Sequence, residues 1–188
     1  IDVVQKGIEP LRDWFDPDIY CEIPRHQVPF ANWHMVCTSG AGIAALSVIN
    51  EVPDARKWLR GIRYTIRNWM NYRGGDYWIR DPYTKKTVKE IEGPAEPNFD
   101  EDGGYVESPG YFYYGVSRAA YFMSIFKRLS GEDLFKTMPD NTLDPFVYML
   151  YETEPGGTAL TCPVFGDSSG NISFPELYAT LGGQKKSE

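Results

Sequence analysis

The stretch HMVCTSGAGIAALSVIN, His34 to Asn50, constrains the fold more than any other part of the chain. It is apolar nearly all the way round a helix and rich in Gly, Ala and Ser. A helix without a polar face must be buried on most sides, and its small side chains let neighbouring backbones approach closely. Such a helix needs several partners, and much of the remaining chain reads as a supply of them. Asn32, just ahead of it, is a candidate N-cap.

Pro53 stops this helix and Pro53-Asp54 starts another. Trp58, Leu59, Ile62, Ile66, Trp69 and Met70 define one apolar face, with Arg56, Arg60, Arg63 and Arg67 largely on the others. Tyr111, Tyr114, Arg118, Phe122, Ile125 and Leu129 mark a further long helix ending near Gly131. Val4, Ile8, Leu11 and Phe15 predict a helix of about fifteen residues. Asp144-Pro145 opens one that runs to about Glu152, with Pro at its first position. The connections are long. DPDIYCEIPRHQVPFANW reads as irregular, and PGGTALTCPVFGDSSGN is turn-rich. Residues 74–109 are polar and punctuated by Gly and Pro, with DYWIRDP and TVKEI able to pair as a small hairpin. Loops of this length suit a helical array or toroid better than an up-down bundle, and long structured loops in compact domains are often functional.

A chain of 188 residues can bury one real core. Its net charge of −7 argues against non-specific nucleic-acid binding, which needs a basic footprint. The same charge weighs mildly against a very highly charged polyanion, though screening within about 8 Å leaves room for a local basic patch. No apolar run is long enough for a transmembrane helix, and no signal peptide is visible. The chain starts at Ile1 without Met and reads as a piece of a longer protein. Three cysteines, Cys21, Cys37 and Cys162, make no complete disulfide framework and no CxxC pair. Free buried thiols are expected, with a Cys21–Cys162 bridge left open. Thirteen Tyr and five Trp suit stacking on flat ligand faces as well as core packing.

Several motifs compete for a function. SGAGIAA has the G-x-G-x-x-A spacing of a dinucleotide loop but lacks the preceding strand, so small residues at a helix contact account for it better. NFDEDGGYVESP matches the first half of a calcium loop, but Pro109 stands where a bidentate Glu is needed; a solvated acidic turn is the plainer reading. Asp102, or Asp100, with Glu107 could supply a glycosidase carboxyl pair, which needs a separation of roughly 5–9.5 Å. In NWH, Asn32 and His34 stand at a helix N-terminus, where an amide, an imidazole and free N–H groups together can hold an anion. The plainer roles are an N-cap for Asn32 and a structural one for His34. Tyr111 follows a Gly/Pro turn at a helix start, a rim position where a phenol can act as acid or base if cations lower its pKa. For Phe112 and Tyr121 a core role suffices.

Taken together, NW with GAGIAAL, then DGGYVESPGYFYYG, then VFGDSSG resemble the heparinase II/III-like and alginate-lyase polysaccharide lyases, over about Asn32 to Ser169. The most specific element is D-G-G-x-x-E-x-P-x-Y-x-x-Y-G, Asp102 to Gly115. The resemblance implies an all-α chain, an incomplete α/α toroid of helical hairpins over residues 1–183 with a frayed or linker end at 184–188. The β-sheet domain of the family would lie outside this chain. The implied activity is β-elimination of a uronic-acid-containing polysaccharide, without metal or organic cofactor, in a periplasmic or secreted protein. The implied partners are an acidic polysaccharide and the remaining domains of the full-length chain, with no nucleic acid and no membrane insertion.

In that chemistry a group neutralises the uronate carboxylate, a base takes the C5 proton, and an acid protonates the leaving oxygen. By resemblance Asn32 binds the carboxylate, Tyr111 donates to the glycosidic oxygen and His34 assists. Glu107 orients its neighbours, and Trp33, Tyr105 and Tyr114 offer sugar-stacking faces. The family also draws a later His or Tyr, and this chain has no His beyond His34. Two alternatives from other classes are a non-catalytic glycan-binding helical domain and a glycoside hydrolase using Asp102 or Glu107.

Overall fold

The structure, a computed structural model, describes residues 30–75, 77–80, 87–91 and 96–143. In chain order these form α1 (Ala31–Ser47), α2 (Ala55–Met70), β1 (Tyr77–Arg80), β2 (Thr87–Ile91) and α3 (Pro109–Ser130), then two 3-10 turns at Leu134–Thr137 and Asp140–Leu143. The described part is helical, as expected. The expected hairpin is present as an antiparallel pair with Tyr77 opposite Ile91. The helices proposed from Val4 and from Asp144-Pro145, the bulk of both turn-rich stretches, His26, Cys21, Cys162 and the C-terminal end lie outside the described residues.

α1 is the centre of the packing, and its glycines set the distances. A Cβ at Gly42 would stand 2.5 Å from the Phe122 ring and 3.2 Å from Ile62 Cγ2. A Cβ at Gly115 would stand 3.3 Å from Asn32 Cβ. The contacts Asn32–Gly115 and Gly42–Phe122 advance the same way along both chains, so α1 and α3 run parallel. The Trp69 indole donates to the Ala31 carbonyl at 2.7 Å, while Ile62 meets Gly42, so α2 runs antiparallel to α1. The start of α1, the end of α2 and the start of α3 therefore gather at one end.

The expected face of α2 is the buried one: Trp58, Leu59, Ile62, Ile66, Trp69 and Met70 all lie in the core. The helix marked by Tyr111 to Leu129 is present as α3, and its buried face is set largely by other residues. The core takes Phe112, Val116, Ala119, Ala120, Phe122, Met123 and Phe126. Tyr114, Ile125 and Leu129 are exposed, as are Arg118 and Tyr121. Both stripes have helical spacing, and the inward one is wholly apolar while the outward one keeps the Tyr hydroxyls and the Arg118 guanidinium in water; Gly115 lets α3 come close to α1. Tyr121 therefore leaves the core role assigned to it.

α3 begins with Pro109 at its first position and Ser108 at the N-cap, and ends at Gly131, whose φ of 78° is the left-handed C-cap that glycine favours. The chain then doubles back. Asp133 caps Phe135 N–H at 3.1 Å, and Leu134, Phe135 and Met138 close the far side of the core. The Asn71 amide donates to the Thr137 carbonyl, tying this return to the end of α2. Glu132 receives Arg63 and Arg67, each at 3.0 Å, in partly exposed pairs worth little to stability. Cys37 is a free, half-buried thiol whose pKa burial raises.

Gly42→Ala should destabilise the fold by about 1–3 kcal/mol through overpacking against Phe122. Gly40, whose Cβ would meet nothing within 4 Å, should gain about 0.5–1 kcal/mol as Ala. Urea denaturation of the two variants beside the parent checks both signs.

Candidate functional site

The acidic segment folds on itself before it reaches α3. Phe99 bridges Tyr105, Asp100 N–H donates to the Gly104 carbonyl at 2.9 Å, and Val106 N–H to the Asn98 carbonyl at 3.0 Å. One oxygen of Asp100 accepts from the N–H groups of Asp102 and Gly104, at 2.9 and 2.7 Å. Gly103 has a φ of 84°, and a Cβ at Gly104 would collide with Asp100 Oδ2; the double glycine is what lets the turn close around its own carboxylate. Asp102 is exposed at the tip. Among the described residues no cluster of His, Cys, Asp or Glu has metal-ligand grouping.

The turn delivers Asn98, Tyr105 and Glu107 to the start of α1. Asn98 is fully buried and every polar group it has is used. Its Nδ2 donates to the Trp69 carbonyl (2.9 Å) and its Oδ1 accepts from Ala31 N–H (3.0 Å). Its backbone N–H donates to the Tyr72 carbonyl and its carbonyl accepts from Val106. Ala31 has a φ of 61°, a left-handed conformation costing an alanine about 1–2 kcal/mol. Asn98 on its N–H and the Trp69 indole on its carbonyl hold it there.

Asn32 is not the N-cap. Phe30 occupies that position and caps nothing with its side chain. Glu107 does the capping from across the fold: its Oε2 accepts from Asn32 N–H at 2.6 Å. The Asn32 amide donates to Oε1 and Oε2 at 2.9 and 3.0 Å, and the Tyr105 hydroxyl to Oε2 at 2.9 Å. Every partner is a donor, the pattern of an ionised carboxylate, and it sits where the helix dipole favours negative charge. The anion held at NWH in this structure is thus the protein's own Glu107.

Beneath it lies an aromatic cluster. Tyr105 packs against Trp69, Phe99 and Phe112 with ring centroids 5.4–5.7 Å apart. Burial, then the negative charge of Glu107 and the hydrogen bond to it, raise the Tyr105 pKa well above the ordinary phenol range. Tyr105 therefore remains a neutral donor that fixes Glu107, and its ring is a core face.

The other sequence-derived candidates divide by exposure. Asn32 and His34 are 3% and 5% exposed, facing inward. Trp33 is 70% and Tyr114 44% exposed, facing out. Tyr111 lies in the first turn of α3, half-buried, one turn before Gly115 and hence beside the crossing with Asn32. A cleft of about 580 Å³ opens against the acidic turn, lined by Arg73, Pro97, Phe99, Asp100, Glu101, Pro139 and Asn141. None of Asn32, His34, Glu107, Tyr111 or Tyr114 lines it.

Asn98, Ala31 and the Trp69 indole are the site residues that the sequence alone does not announce. One indirect signal exists: PFANW offers no Ser, Thr or Asp at the N-cap, so the cap had to come from elsewhere. Compared with protein-family models, curated proteins and solved structures, the chain finds no match.

Asn98→Ala should cost about 2–4 kcal/mol, because it strands a buried N–H and a buried carbonyl; Asn98→Asp should rescue only the Ala31 contact. Tyr105 titrates in the unfolded chain near its usual value but keeps its proton in the fold. Its contribution is fully present below about pH 10 and is lost as pH rises above it. Denaturation between pH 8 and 11 should show stability falling with pH, and Tyr105→Phe should flatten that slope.

Proposed function

We propose that this chain is a helical part of a polysaccharide lyase that cleaves an acidic polysaccharide by β-elimination. The observation that carries the reading is the meeting of two segments 75 residues apart. The stretch around Asn32 and the stretch Asp102–Gly115, which carry the resemblance to heparinase II/III-like enzymes, come together at one end of the helices. Tyr111 lies beside their junction. The parallel placement of α1 and α3, with α2 returning antiparallel to α1, is also the local arrangement that a ring of helical hairpins repeats.

The roles are those the resemblance implies, read against the geometry. Tyr111, half-buried at a helix start, is the proton carrier of the reading, delivering its proton to the glycosidic oxygen as that bond breaks. Asn32 acts as a positioning residue, since both its N–H donors and its backbone N–H are committed to Glu107. Asn32 can meet a uronate carboxylate only if Glu107 withdraws, because two carboxylates sharing that helix end repel. His34, on the inner face of α1, supports the helix start. The reading also requires a base for the C5 proton, a role to which none of the described residues is assigned.

A second reading is favoured by the same burial. With Asn32 engaged and Trp33 and Tyr114 exposed, the helices could present a glycan-binding surface that performs no chemistry. Incubation of the full-length protein with a panel of uronic-acid polymers separates the two, since only elimination creates an unsaturated sugar that absorbs in the ultraviolet. Tyr111→Phe should lower the rate of that absorbance by about 10²–10⁴-fold while leaving polymer binding intact. A variant as active as the parent removes Tyr111 from the mechanism.

A further inference from the structure

The outward faces of α1 and α3 form one surface, and its chemistry is unusual for solvent-facing helices. At 100° per residue, in two parallel right-handed helices, Trp33, Gly40 and Ile43 of α1 and Tyr114, Arg118, Tyr121, Ile125 and Leu129 of α3 fall on the same side, away from α2. Trp33 and Tyr114 are the chain neighbours of Asn32 and Gly115, so the surface begins at the candidate site. From there it runs along α3 through Arg118 to Tyr121, 49% exposed; Tyr111 to Tyr121 spans about 15 Å.

Arg118 is the cation of that surface beside Tyr114, and Arg128, seven residues beyond Tyr121, is a second exposed one near its far end. The Arg118 guanidinium lies 5.9 Å from the centroid of the Tyr114 ring, within cation–π range, and it joins no ion pair among the described residues. In a chain of net charge −7, an Arg held against an aromatic face and without a carboxylate partner among the described residues is complementary to an anion that also carries a flat apolar side. A sugar acid has both. Its ring face stacks on Tyr or Trp, and its carboxylate takes the planar fork of a guanidinium in two parallel hydrogen bonds.

We propose that Tyr114, Arg118 and Tyr121 form a binding track for an acidic oligosaccharide, with Arg118 selecting uronate over neutral sugar and the chain leading toward Tyr111. The ligand class rests on the glycan reading above; the track itself needs no catalysis. Arg118 is here a specificity-determining residue outside the catalytic machinery.

The test is affinity electrophoresis of the full-length protein through gels containing alginate or an uncharged β-glucan, beside the rate of unsaturated-product formation. Alginate should retard the parent and the glucan should not. Arg118→Gln should weaken the alginate interaction by about ten- to a hundredfold, raise KM with kcat unchanged, and leave thermal stability as it was. Arg118→Lys should recover part of the binding, and Tyr121→Ala should weaken it without touching the charge preference. The inference is overturned if Arg118→Gln migrates like the parent, or if the glucan retards the parent equally. It is also overturned if neither gel retards the parent while Leu129→Glu alters its sedimentation, which would assign the face to a second copy of the chain. Product formation with a KM indifferent to Arg118 sinks the track and keeps the lyase; Arg118-dependent retardation without product sinks the lyase and keeps the track.

Discussion

The bond on which the arrangement depends is that of the Glu107 carboxylate with the first turn of α1. Bringing a carboxylate into a partly buried site costs several kcal/mol unless it is paired or fully hydrogen-bonded. Here the cost is offset by the Asn32 backbone and side-chain N–H groups, the Tyr105 hydroxyl and the positive end of the helix. α1 has no acidic residue in its own first turn, so the charge its N-terminus attracts arrives from residue 107. That one requirement brings the acidic turn to α1, and with it the first turn of α3 and Tyr111. Asn98 performs the matching task one residue earlier. It gives Ala31 N–H a partner and takes the Trp69 carbonyl, so that the strained entry to α1 is held by the turn and by the end of α2 together.

Close helix contact does the rest. Gly42 and Gly115 allow α1 to lie against α2 and α3 at distances that leave no room for a side chain at Gly42 and a tight fit for one at Gly115. Packing α1 on two sides consumes its apolar surface except for the narrow strip that starts at Trp33. Because α3 is parallel to α1, its own uncovered strip runs beside that one. The exposed aromatic surface and the buried carboxylate junction are therefore consequences of the same packing, one facing outward and the other closing the end.

Much of the helical scaffold was legible in the sequence. An all-round apolar helix, a one-faced amphipathic helix and a hairpin between 77 and 91 follow from periodicity and turn residues, which are local properties. The buried face of α3 was not legible, because its Tyr, Arg and Leu stripe has the same spacing as its Phe, Val, Ala and Met stripe. Periodicity finds a helix, and which stripe is buried depends on what packs against it. The N-cap of α1 was misassigned for a related reason: Asn32 has the right chemistry at nearly the right place, and nothing local reveals that Asn98 and Glu107 will arrive first. Glu107 was read as orienting its neighbours; in the structure it accepts from Asn32 and Tyr105. That the anion at the helix end is Glu107 itself was hidden, because it depends on a contact across 75 residues.

The division between an inward amide and an outward guanidinium changes where an acidic sugar should be sought. On the proposed reading, a uronate approaching the helix end would meet Glu107, a like charge already served by Asn32 and Tyr105, and would have to displace it to reach the Asn32 amide. A uronate approaching the outer face meets Arg118, a cation with a ring beneath it and no competing acid among the described residues. On the proposed reading, first contact would fall on the face, with the chain then extending to Tyr111 at the end of the same surface. On that order of events Glu107 guards the helix end against any anion not already held by the aromatic face. Selectivity would then lie in α3 and the fixed geometry of the junction in α1.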